Sequence, residues 1–236
     1  MGDEVDRESR GLSRREALST AGKAVIGGMA IAAGTGGAAA ADEGVDSTSV
    51  DAGPAGTSTA EFRGRVLQRG SNGEVLTTFG YLTRLVGASN SALFAGDPHN
   101  ESTALFTLYA QPTLVARVLD ENVHAVDLAG DLDIYQRRAP GAHFDDPASF
   151  KQGALVARYS FQLQDILAVF SPGKGIPTLN GDMTQVEAGQ LSGPLAGKRF
   201  GRKNQRRRMY ATGLGTLTDP ATLNASLELA GNWTAD

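Results

Sequence analysis

The residue whose position most invites chemistry is Asp165. Tyr159, Phe161 and Leu163 set an alternating apolar phase, and Asp165 continues it. A carboxylate on a core face needs a partner or a raised pKa. In a cavity it could serve as a general acid or base. The simpler expectation is that the strand ends or bulges at Gln164 and turns Asp165 outward, because Ile166, Leu167, Val169 and Phe170 are apolar on both faces. Arg158 and Tyr159 complete the weak catalytic candidates, with Arg158 on the opposite face from the other two. A second set is Asp127, Asp131, Asp133 and Tyr135, which alternate with Val126, Leu128, Leu132 and Ile134. Their polar face could line a barrel lumen and bind ligand, or hold a hard cation. A plain solvent face is the simplest reading.

Seven cations crowd a third segment: Lys198, Arg199, Arg202, Lys203, Arg206, Arg207 and Arg208, with no acid between them. They could bind an anionic surface polymer, a phospholipid or an acidic ligand. A solvated hairpin connection is the less demanding reading. Nucleic acid is disfavoured, since only Phe200 interleaves as a stacking surface.

Much chemistry is excluded outright. The chain has no cysteine, which removes disulfides, Cys-ligated zinc, iron–sulfur clusters and thiol catalysis. The three histidines, His99, His124 and His143, show no metal-site spacing. His99-Asn100-Glu101 resembles half of a deaminase motif whose cysteines are missing. His124 falls at a hairpin end, and His143 lies in a loop with Asp145 and Asp146 that reads as an ordinary capped connection. Gly173-Lys174-Gly175 and Gly213-Leu214-Gly215 lack phosphate-loop spacing and read as turns or close strand packing. No metal or cofactor is expected.

The elements that must position these residues occupy only part of the 236-residue chain. Every aromatic residue lies at or after Phe62. The first 61 residues are a different kind of polymer. Ser13-Arg14-Arg15-Glu16-Ala17-Leu18 and Lys23 precede an uncharged Gly/Ala-rich stretch from Ala24 to Ala41. That is a charged region, a mildly apolar region and a small-residue cleavage zone at Ala39 and Ala41. Arg14-Arg15 resembles the twin-arginine export signal, roughly Ser/Thr-Arg-Arg-x-Phe-Leu-Lys. Ser13, Arg14, Arg15 and Leu18 match it, whereas Ala17 and Ser19 depart from it. The resemblance implies an export-machinery partner and passage across the cytoplasmic membrane as a folded protein, with a retained anchor as the other reading. A cysteine-free chain suits that route. Residues 42–60 are acidic and rich in Ser, Thr and Gly, and read as a disordered linker. The working domain is then 61–236, with 17 basic and 17 acidic residues in place of the whole-chain net charge of −4.

Period-two alternation dominates this domain. Asn72-Gly73 marks a hairpin turn, and Pro112 marks a strand break. The hairpin of Thr113–Leu119 with Val123–Tyr135 is expected to use the three-residue loop Asp120-Glu121-Asn122. That register pairs Leu114 with Leu128, Ala116 with Val126 and Val118 with His124. A two-residue loop would set Arg117 opposite Val126 on the apolar face. Further strands are expected at Leu155–Leu163, Leu179–Val186, Met209–Leu217 and Leu223–Leu229. Eight to ten antiparallel strands imply an all-β fold, a single calycin-like barrel in preference to a sandwich. The meander and its glycine-punctuated strands resemble the barrels of allene oxide cyclases and dirigent proteins. At the level of fold, this implies a lumen that binds a small, largely apolar ligand or steers its cyclisation or isomerisation. The rival reading is a non-enzymatic envelope protein that binds anionic polymer through residues 198–208. Whether the chain is an enzyme stays open.

Overall fold

The computed structural model describes residues 48–236. These begin with the short strand β1 (Ser49–Val50) and the long hairpin of β2 (Ser58–Arg69) and β3 (Val75–Leu85). A single helical turn, α1 (Asn90–Leu93), leads to β4 (Phe106–Ala110). Then come β5 (Thr113–Asp120), β6 (Val123–Gln136), β7 (Ala154–Ser171) and β8 (Lys174–Ala188). The two-residue β9 (Arg199–Phe200), β10 (Arg206–Asp219) and β11 (Asn224–Ala235) complete the order.

Eight of these strands close on themselves as an antiparallel barrel. β2, β3, β4, β6, β7, β8, β10 and β11 pair in that circular order, with β4 on β6 and β11 back on β2. Closure leaves most strands without a free edge. β5 prolongs β4 beyond the break at Pro112, where proline can supply no ladder N–H. It pairs with β6 alone, so the barrel keeps a seam between β5 and the start of β3.

The two ends differ. One carries four short turns: residues 70–74, 121–122, 172–173 and 220–223. The other carries the long connections 86–105, 137–153 and 189–205. Connection 137–153 folds back over the outer wall, where Phe144 and Phe150 pack on Phe79 at 6.0 and 5.2 Å between ring centroids. His143 and Asp146 form a bridge there, and the Asp146 carboxylate accepts from Ala148 N–H. Outside the barrel, near the short-turn end, Val118, Val123, Phe170, Ile176 and Leu214 leave an exposed apolar band.

Three expectations are corrected. Residues 48–60 are not linker: Ser49 and Val50 pair with Arg199 and Phe200, Asp51 is fully buried, and β2 begins at Ser58. The β5–β6 hairpin turns on Glu121-Asn122 alone, which sets Arg117 opposite Val126 and Leu119 opposite His124. A bulge at Val115 absorbs the shift from the Leu114–Leu128 pair. The desolvation objection fails because Arg117 stays partly exposed and closes the seam. Both of its Nη atoms donate to the Asn72 carbonyl at 3.0 Å. Finally, β7 neither ends nor bulges at Gln164. Its register runs unbroken from Tyr159 to Val169, and the bulge falls at Phe170. Asp165 therefore keeps its inward phase and is 8% exposed.

Candidate functional site

The long-connection end is plugged. Asp51, carried in by the β1 strap, sits at φ 55°, a left-handed conformation that Asp tolerates better than most residues. Its carboxylate accepts from Trp233 Nε1 at 2.9 Å and from Tyr159 Oη at 2.7 Å. Arg207, 1% exposed, pairs with the same carboxylate at 3.3 Å and also donates to the Asp51 carbonyl. Every member is a buried polar group that would be costly alone. Burial and the neighbouring carboxylate raise the Tyr159 hydroxyl well above its ordinary pKa, so it stays a neutral donor. Phe62 stacks on Trp233 at 5.8 Å and completes the filling of this end.

The short-turn end holds a cavity of about 180 Å³. Its walls are the inward residues of the same strands, among them Val66, Leu128, Leu167, Leu179 and Leu227. Glycine makes the room. Gly175 and Gly215 face each other across the β8–β10 ladder. Leu167 lies over Gly175, 2.7 Å from where a Cβ would sit, whereas a Cβ at Gly215 would meet only ordinary contacts at 3.5 Å, so Gly215 leaves the chamber open. Polar groups are sparse: Asp165 lies in the wall, with Gln68, Arg117, His124, Lys174 and Thr216 also on the lining. Lys174 Nζ donates to Thr216 Oγ1 at 3.2 Å.

Asp165 Oδ1 accepts one hydrogen bond, from Thr178 N–H at 3.1 Å, and no described residue donates to Oδ2. Burial lifts this carboxyl to about 6, and the Thr178 bond offsets only part of that rise. At neutral pH the group is therefore mostly ionised, in an apolar chamber, with no cation among the causes of its shift. Such a carboxylate can anchor a donor on a bound molecule or abstract a proton from one.

The other expected site residues are not brought together here. Tyr159 faces the interior but belongs to the plug. Arg158 lies on the outer wall, bound to Asp133 at 2.6 Å and to Glu187 at 3.1 Å. Asp127, Asp131, Asp133 and Tyr135 share that outer wall, where Asp127 accepts from Gln164 and Asp133 from Tyr135. Burial and the adjacent Asp133 push the Tyr135 hydroxyl up to about 12. Among the described residues, no group of three His, Cys, Asp or Glu side chains could hold a metal ion. The basic segment is not one loop. Arg199 is in β9, Arg206, Arg207 and Arg208 begin β10, and Arg207 turns into the plug. Lys198 bonds the Gly87 carbonyl, Arg208 pairs with Asp182, and Arg202, Lys203 and Arg206 are exposed. Arg14, Arg15, Ala39 and Ala41 lie outside the described residues.

Asp51 and Trp233 escape a reading of the sequence altogether, while Arg117, His124 and Arg207 enter it only as a register argument, a hairpin end and a surface cation. Arg207 and His124 each carry a usable sign, since His124 alternates in phase with Val126 and Leu128. Arg207 alternates in phase with Met209 and Ala211, as Asp165 does with Leu163.

No protein-family model, no curated protein and no solved structure matches this chain. The chemistry of the cavity is accordingly read from the chain's own residues.

Proposed function

We propose that this is an exported barrel protein that binds a small, largely apolar molecule in the open end of its lumen. The observation that carries the reading is the apolar cavity with one buried carboxylate in its wall. The size fits one ring or a short branched chain, since a cavity of about 150 Å³ lined by Leu, Ile and Phe takes up benzene. Few convergent polar groups in an apolar chamber are what small-molecule sites contain.

The test is a calorimetric titration of the 48–236 domain with propylbenzene. Saturable one-to-one binding is expected. Gly215→Leu should abolish it, because a Cβ at Gly215 meets its neighbours at 3.5 Å, ordinary contact, and the longer side chain fills the chamber. Binding that survives Gly215→Leu would place the ligand elsewhere.

Export rests on the sequence of residues 13–41. Replacing Arg14 and Arg15 together with lysine keeps the charge but removes the paired guanidinium groups that the export signal resembles. The full chain should then stay in the cytoplasm of a host with a twin-arginine system. Unchanged export in fractionated cells would reject that route.

A further inference from the structure

A buried carboxylate without a counter-ion asks for one. Asp165 borders the cavity; its carboxylate has one protein bond, the neutral Thr178 N–H on Oδ1, and no described residue donates to Oδ2. The charged or titratable groups on the lining are Arg117 from β5, His124 from β6 and Lys174 from β8. β2 and β10 add the neutral Gln68 and Thr216, and β3 and β11 add only apolar side chains. None of the three bonds Asp165: Arg117 donates to the Asn72 carbonyl and Lys174 to Thr216 Oγ1, and no hydrogen bond or ion pair joins His124 to the carboxylate. At the mouth Glu74, Asp120, Glu121 and Asp219 stand against Arg69, Arg117 and Lys174, so an approaching cation meets no net repulsion there.

Resting on the cavity as the ligand site, we infer that its ligand is an organic ammonium. The apolar body occupies the chamber, and the protonated nitrogen donates to Asp165 Oδ2. An N⁺–H···O⁻ bond is about twice as strong as a neutral one, and the apolar guest strengthens it by excluding water. It also relieves the cost of the bare buried charge. A neutral guest makes that cost worse by displacing water from the carboxylate. An anionic guest adds repulsion to it.

The two kinds of guest must respond oppositely to pH. The ammonium binds the ionised carboxylate, so its affinity falls as pH drops below the Asp165 pKa of about 6. A hydrocarbon favours the protonated carboxyl, so its affinity holds or rises over the same range.

The experiment titrates the full-length protein with 2-phenylethylammonium, propylbenzene and 3-phenylpropionate at pH 8 and pH 5. The ammonium should bind at least about tenfold more tightly than propylbenzene at pH 8. It should lose about tenfold by pH 5, and its advantage should vanish in Asp165→Asn. Propylbenzene binding as tightly as the ammonium at pH 8 would overturn the inference and leave the cavity reading standing. So would 3-phenylpropionate binding most tightly of the three. If no guest binds, both the cavity reading and the inference fall.

Discussion

Asp51→Ala is expected to destabilise the domain by about 3–5 kcal/mol, the cost of leaving one member of a buried ion pair without the other. Arg207 would remain fully enclosed with no carboxylate, and Trp233 Nε1 and Tyr159 Oη would lose their acceptor. A loss of that size is a large fraction of the stability of an ordinary domain. The measurement is the urea unfolding curve. The double variant Asp51→Ala with Arg207→Met should be more stable than Asp51→Ala alone, because it removes the orphaned charge with its partner. An Asp51→Ala cost below about 1 kcal/mol would mean that water reaches the plug, and the closed end would then not be closed.

Asp165→Asn is expected to act in the opposite direction and make the protein more stable. The carboxyl has a pKa of about 6 in the folded domain and about 3.9 when unfolded. Below pH 4 both states hold the proton, and the group has no effect. Between pH 4 and 6 the unfolded chain ionises first, so the folded state loses relative stability as pH rises. Above pH 7 the full penalty applies, about 3 kcal/mol as an upper bound. Asparagine keeps an oxygen for Thr178 N–H and carries no charge. The variant should therefore exceed the parent by about 1–3 kcal/mol at pH 8, with the difference vanishing near pH 4. Unfolding curves at both pH values read this directly. A parent as stable as the variant at pH 8 would show that Asp165 is well solvated. Stability given up at one internal position is the usual mark of a group kept for function.

The strand pattern was legible because it needs only alternation. Asn72-Gly73, Pro112 and the apolar phase of β7 locate a turn, a break and an inner face without reference to distant residues. Closure into a barrel is read from strand number and from the short turns of one end alone, since the other end carries three long connections. The site was half legible. The phase of β7 points Asp165 inward, yet the residues after it look apolar on both faces. The reason lies outside the barrel. Ile166 and Phe170 belong to the outer wall, where Phe170 is 61% exposed, so their apolarity says nothing about the inner phase. Arg117 was misplaced because a charge on an apolar phase looks prohibitive until the open mouth and the Asn72 carbonyl are in view. Asp51 was invisible for a deeper reason. Its partners Tyr159, Arg207 and Trp233 lie 108, 156 and 182 residues away, and no local pattern encodes a contact at that range.

The central claim is that Asp165 lies, unpaired, in a cavity that admits a guest. A carboxyl carbon NMR titration of the domain, with and without saturating propylbenzene, tests it most directly. With the cavity empty, the Asp165 resonance should titrate near pH 6. With propylbenzene bound, its midpoint should move higher, because the guest excludes water from the ionised form. A carboxyl that titrates near 3.9, the value of an exposed aspartate, and ignores the guest would contradict the account.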